Sequence, residues 1–164
     1  MKLIWTTSLL LTVIFNSYSQ KPLSSESKDA ISLEIKQMFN NYHSDITKKG
    51  LTSEFKYLDA SSDFFWVPPG HEKALDYDTI KSMLIANSKI INFIEFSWES
   101  IKIIPLTKKI ANYTGIVKCV QVDANANAVT FKLIESGTLI KRKDGWKFLN
   151  GQSRNLPQTK MTVN

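Results

Sequence analysis

A single cysteine, Cys119, occurs in the 164-residue sequence. No internal disulfide can form, so stability has to come from a packed core. Histidine is almost as scarce, with His43 and His71 the only two. A Cys–His nucleophile therefore has no sequence reason to assemble. His71 has Glu72 beside it in a Pro-Gly turn, but no third ligand follows at metal-binding spacing. No metal or cofactor is expected. Long apolar runs are missing beyond the N-terminus, and there is no internal repeat and no low-complexity tract. The lysine clusters Lys48-Lys49, Lys108-Lys109 and Lys141-Arg142-Lys143 are short and lack interleaved aromatics, so nucleic acid is not an expected partner.

The chain does have a distinctive beginning. Lys2 precedes a mostly apolar stretch over residues 3–15, and Ser17-Tyr18-Ser19 then offers small residues before Gln20. This is the layout of a secretory signal peptide, and the run is shorter than the roughly 20 apolar residues a membrane span needs. Residues 1–19 read as the signal, 20–28 as a flexible lead, 29–155 as one domain and 156–164 as a tail. The expected location is periplasmic or secreted, with no membrane anchor after cleavage. The cleaved chain keeps 20 basic and 15 acidic residues, a net charge of +5. That balance is read as a solvated, soluble surface.

Periodicity supplies the elements. Ile31, Ile35, Met38, Phe39, Tyr42 and Ile46 share one face of a helix closed by Gly50. Thr52 or Ser53 can cap a short second helix carrying Phe55 and Leu58. A strand over residues 63–67 stops at Pro68-Pro69-Gly70. Asp76 or Asp78 caps a third helix with Ile80, Met83 and Leu84 inward. Ile94, Phe96 and Trp98 then alternate, and the phase slips by one to Ile101 and Ile103, which predicts a bulge. Two further strands end in a hairpin at Asp144-Gly145, followed by Trp146 and Phe148. Trp146 is expected to anchor that hairpin on the first helix. Helices first and an antiparallel meander after them make an α+β domain.

In order, these features resemble the nuclear transport factor 2-like superfamily, in its secreted SnoaL-like branch. The residues that carry the likeness are the opening helix, Phe64-Phe65-Trp66-Val67-Pro68-Pro69-Gly70, the Asp-capped third helix, Trp98 with Ile103-Ile104-Pro105-Leu106, Ile110-Ala111-Asn112-Tyr113-Thr114-Gly115, and Asp144-Gly145-Trp146-Lys147-Phe148. The resemblance implies a cone-shaped roll, with three N-terminal helices packed on a strongly curved antiparallel sheet and a pocket at its open end. It also implies a homodimer through the sheet.

Members of this superfamily include isomerases, dehydratases, epoxide hydrolases, cyclases and pure binding proteins, so the residues have to decide. Carried onto this chain, the isomerase-like carboxylate position falls at or beside Val67, with Trp66 before it, and valine cannot abstract a proton. The last-strand histidine of many relatives falls at Gln152, in phase with Trp146 and Phe148, and glutamine is no general base. The epoxide-hydrolase cluster needs an arginine, and Arg142 and Arg154 stand at a turn and a strand end. His43 flanks the apolar stripe and reads as a surface residue. The pocket is therefore expected between Tyr42, Trp66, Val67, Trp98 and Gln152, with no catalytic residue and a small apolar molecule as partner. The function this favours is an exported binding or accessory domain. The alternative is a lyase, isomerase or hydrolase using Tyr42 with Asp63 or Glu135. Which face Glu135 occupies depends on the hairpin register.

Overall fold

The computed structural model describes residues 22–157. The expected signal segment lies outside the described residues, as does the expected tail apart from Leu156 and Pro157. The opening stripe forms helix α1 (Ser25–Lys49), burying Ile31, Ile35, Met38, Phe39, Tyr42 and Ile46. It starts four residues earlier than the expected domain boundary, so 25–28 are helical rather than a flexible lead. The local cause is Ser24, whose hydroxyl accepts from the Ser27 amide at the N-cap. Gly50 closes α1, its N–H donating to the Ile46 carbonyl at 2.8 Å. The second helical segment is a 3₁₀ turn, Leu51–Lys56, in place of an α-helix. Asp76 accepts from the Thr79 amide and caps α2 (Tyr77–Asn87).

The strands are β1 (Phe65–Val67), β2 (Ile91–Pro105), β3 (Ile110–Asp123), β4 (Ala128–Arg142) and β5 (Gly145–Asn155). They form one sheet in the order β1-β5-β4-β3-β2, with β1 parallel to β5 and every other pair antiparallel. The architecture is the expected α+β one, with helices on one face of a curved sheet. Three register shifts interrupt the sheet. One lies between Ile91 and Phe93, and the expected slip lies between Trp98 and Ser100, both in β2. The third lies in the closing hairpin, where Leu139 faces Phe148 but Thr138 faces Asn150, so Leu149 is an extra residue. A bulge of this kind turns every later side chain of its strand to the opposite face.

The core lies between α1 and the concave face of the sheet. Ile35, Phe39 and Ile46 of α1 are fully buried with Tyr113 and Cys119 of β3 and Leu139 of β4. The hairpin turns at Gly145 with φ +121°, a backbone that favours glycine. Trp146 is 4% exposed, and its indole N–H donates to Glu34 of α1 at 2.9 Å, fastening the hairpin to the helix.

Candidate functional site

Between the helices and the concave sheet face lies a cavity of about 250 Å³. Its walls combine aliphatic side chains such as Leu51, Ile80, Ile94 and Leu133 with a set of rings: Tyr42 from α1, Phe64 just before β1, Trp66 from β1, Phe96 and Trp98 from β2, and Phe148 from β5. The rings support one another. Tyr42 packs edge-on to Phe148 with ring centres 5.1 Å apart, and Trp66 does the same at 5.8 Å.

The two indoles owe their positions to glycines. A Cβ at Gly151 would fall 2.5 Å from Trp66 Cζ3, and one at Gly115 would fall 2.7 Å from Trp98 Cζ3. Each edge-strand tryptophan thus lies across a glycine of the neighbouring strand, where no side chain fits beneath it. Trp66 Nε1–H donates to Ser153 Oγ at 3.2 Å. Trp98 Nε1 is buried with no hydrogen-bond partner among the described residues.

Two carboxyl groups enter this apolar space. Glu54, on the 3₁₀ turn, accepts from Tyr42 Oη at 3.0 Å. Glu135, on β4, accepts from Tyr113 Oη at 2.7 Å. Neither has a salt-bridge partner among the described residues. Loss of water around them pushes both up to about 7, well above the ordinary carboxylate range. The Tyr42 hydroxyl partly offsets this at Glu54, while the negative charge of Glu135 adds to it. The two tyrosines are raised in turn, first by burial and then by the glutamates beside them.

His43 also reaches the cavity, against Phe96 and Trp98 at ring-centre distances of 6.1 and 5.8 Å. Burial lowers its pKa to about 4, so it is neutral at physiological pH. Its surface reading from the helical pattern is therefore corrected. The Cys119 thiol lines the wall and is pushed up to about 12 by burial, which leaves it inert as a nucleophile. Among the described residues, no group of three or more His, Cys, Asp or Glu is placed to hold a metal ion.

Of the five residues expected around the pocket, Tyr42, Trp66 and Trp98 line the cavity. Val67 and Gln152 do not. They pair with each other in the β1–β5 ladder and face a shallow groove on the outer side of the sheet, with Asn112, Thr138 and Asn150. The Leu149 bulge is the cause. Phe148 points inward, the phase flips, and Ser153 takes the inward place that simple alternation gives to Gln152. Asp63 and His71 are exposed and lie off the cavity. Glu135 faces inward because Arg142 pairs with Gly145 across a two-residue turn and the later bulge leaves Ser153 opposite it. Arg142 is held outside by Asp59 through two bonds of 2.8 and 2.7 Å. Glu54 was not anticipated from the sequence, and nothing in its 3₁₀ turn signals an inward carboxyl.

No protein-family model matches the chain, and no curated protein does either. Solved structures do. A putative scytalone dehydratase from Novosphingobium aromaticivorans superposes with a TM-score of 0.69 at 14% identity, over 86% of this chain and 94% of that one. A nuclear transport factor 2-like superfamily protein from Salmonella enterica gives 0.63 at 16% identity, over 83% and 98%. A hexachlorocyclohexane dehydrochlorinase (LinA) of type 2 gives 0.64 at 12% identity, over 82% and 90%.

Proposed function

Because the chain has the nuclear transport factor 2-like fold, a sheet and helices closing around a cone, we propose that it is a small-molecule lyase working by acid–base catalysis in that cone. The observation that carries this reading is the pair Glu54 and Glu135, each held by a tyrosine hydroxyl and each near 7 in a cavity lined by aliphatic and aromatic side chains. A catalytic acid or base works best when its pKa lies near the operating pH, and carboxyls reach that range only when desolvated. The expectation of binding alone rested on Val67 and Gln152 standing where titratable groups would. With those two on the outer face, the titratable groups come from the 3₁₀ turn and from β4 instead.

The roles follow from the surroundings. Glu135 takes the shorter bond, and hydrogen bonding to a carboxylate favours its charged form. The two carboxyls repel each other when charged, so once Glu135 ionises Glu54 holds its proton. Glu135 is thus the base and Glu54 the acid. In an elimination, Glu135 removes a proton from carbon and that C–H electron pair becomes the new C=C bond. The bond to the leaving oxygen breaks, and Glu54 supplies the proton that releases it as water. The dehydratase and dehydrochlorinase named among the similar structures are elimination enzymes by name, which supports this class.

The test is proton exchange. Small β-hydroxy ketones incubated with the protein in heavy water should take up deuterium beside the carbonyl and lose water. Glu135→Gln should stop both, and Glu54→Gln should slow the loss of water more than the exchange. Ligands that bind without any exchange would leave a binding domain as the correct reading.

The setting we propose is periplasmic or secreted, after cleavage before Gln20. Intact mass of exported protein that retains Met1 would rule out that cleavage. We also propose a homodimer through the outer sheet face, where Ile104 and Ile134 are exposed. Light scattering showing a monomer at micromolar concentration would refute it.

A further inference from the structure

The cavity wall is one-sided in charge. Its titratable groups are Tyr42 and His43 from α1, Glu54 from the 3₁₀ turn, Cys119 from β3 and Glu135 from β4, with Tyr113 hydrogen-bonded to Glu135. The tyrosines and the thiol stay neutral, and so does His43. Among the described residues, no lysine or arginine lines the wall. Yet basic residues outnumber acidic ones, 21 to 15, over the whole chain. Outside the cavity, several acids have cations, Asp144 with Lys147 among them. Asp45 has Lys49 and Lys56, Asp59 has Arg142, Glu34 has Lys141, and Glu99 has Lys132. Among the described residues, Glu54 and Glu135 are carboxyls without a cation, set in a wall that includes aromatic rings, whose faces attract positive charge.

We propose that the molecule this cavity takes is a small organic cation, a substituted ammonium ion held between the ring faces and the carboxyl pair. An anion would meet like charge and the negative faces of the rings. A neutral apolar molecule would fill the space and leave the carboxyls with their tyrosine hydrogen bonds but no balancing charge. One positive charge also fits the chemistry. It balances a single carboxylate and leaves the other group protonated, which is the acid–base state the elimination needs. The inference deepens the proposed function by naming its substrate class, and it rests on the cavity rather than on the reaction.

The probes are choline, its neutral isostere in which a tert-butyl group replaces the trimethylammonium, and the corresponding tert-butyl carboxylate. Calorimetry near pH 8 should show choline binding at least about tenfold more tightly than the isostere. Near neutral pH, choline should release protons on binding, seen as heats that vary with buffer ionisation, and the isostere should not. Replacing both glutamates by glutamine should abolish the preference while the isostere still binds, which shows the cavity intact. Equal binding of choline and isostere, stronger binding of the carboxylate, or no choline binding at millimolar concentration would each overturn the proposal. Loss of deuterium exchange with the cation preference intact would count against the lyase reading alone.

Discussion

Tyr113 donates a 2.7 Å hydrogen bond to Glu135, and the phenol that does so is itself wedged between Phe39 and Phe148, with ring centres 5.1 and 5.8 Å away. The packing of the ring holds the hydroxyl toward Glu135. Tyr113→Phe removes the group that favours its charged form, and the Glu135 titration should move further above about 7. Carbon-13 NMR of labelled glutamate side chains would show the midpoint rising. A midpoint that falls would mean Tyr113 is not what holds it down.

The carboxyl pair should make the fold less stable in alkali. Both groups sit near 7 when folded against 4.5 when unfolded, so the folded chain holds more protons between those values. Stability then falls as pH rises through that window and stays reduced above it. His43 acts in the opposite direction. It is lowered to about 4, and stability is lost as pH falls from 6.5 toward that value. Comparison with Glu54→Gln/Glu135→Gln cancels the histidine. The double variant should be more stable by roughly 2–5 kcal/mol near pH 8, with the advantage dwindling toward pH 4.5. Urea titrations that show the same difference at every pH would contradict the raised carboxyls.

Trp146→Ala should cost about 3–5 kcal/mol, the range for a large buried aromatic. It empties core space and also frees Glu34 of its indole partner, though Lys141 stays on that carboxylate at 2.6 Å. A loss well below 1 kcal/mol, the level of an ordinary surface substitution, would show that the hairpin does not depend on this anchor.

Gly151→Ala should destabilise by about 1–3 kcal/mol, because the added methyl overpacks a filled space. It would meet Trp66 Cζ3 at 2.5 Å and the Ser136 carbonyl oxygen at 2.6 Å. Pairing it with Trp66→Phe should restore only part of the loss, since the Ser136 oxygen is backbone. Full restoration in denaturant titrations would place all the strain on the indole.

Much of the fold is written in residue spacing. The α1 stripe, the Asp76 cap, the slip after Trp98 and the Asp144-Gly145 turn each follow from a local rule acting over a few residues. The site is less legible, for identifiable reasons. Leu149 is one extra residue in a strand whose sequence alternates smoothly, and it alone moves Gln152 outward and Ser153 inward. Glu135 takes its face from hairpin register, a property of two strands together. Glu54 follows no period, since a six-residue 3₁₀ turn is too short to show one. It finds Tyr42 only after the chain has doubled back against α1.

The indoles lying across Gly115 and Gly151 divide the labour of the cone. Trp66 and Trp98 stand on the two edge strands, while Glu54 and Glu135 are carried by the 3₁₀ turn and by β4. The lining can therefore be exchanged without touching the strand and the turn that carry the carboxyls. A smaller ring at residue 66 or 98 opens a niche directly over a glycine, on one flank or the other. Two independently adjustable panels around a fixed carboxyl pair would let a scaffold of this kind change the shape of what it accepts in single steps.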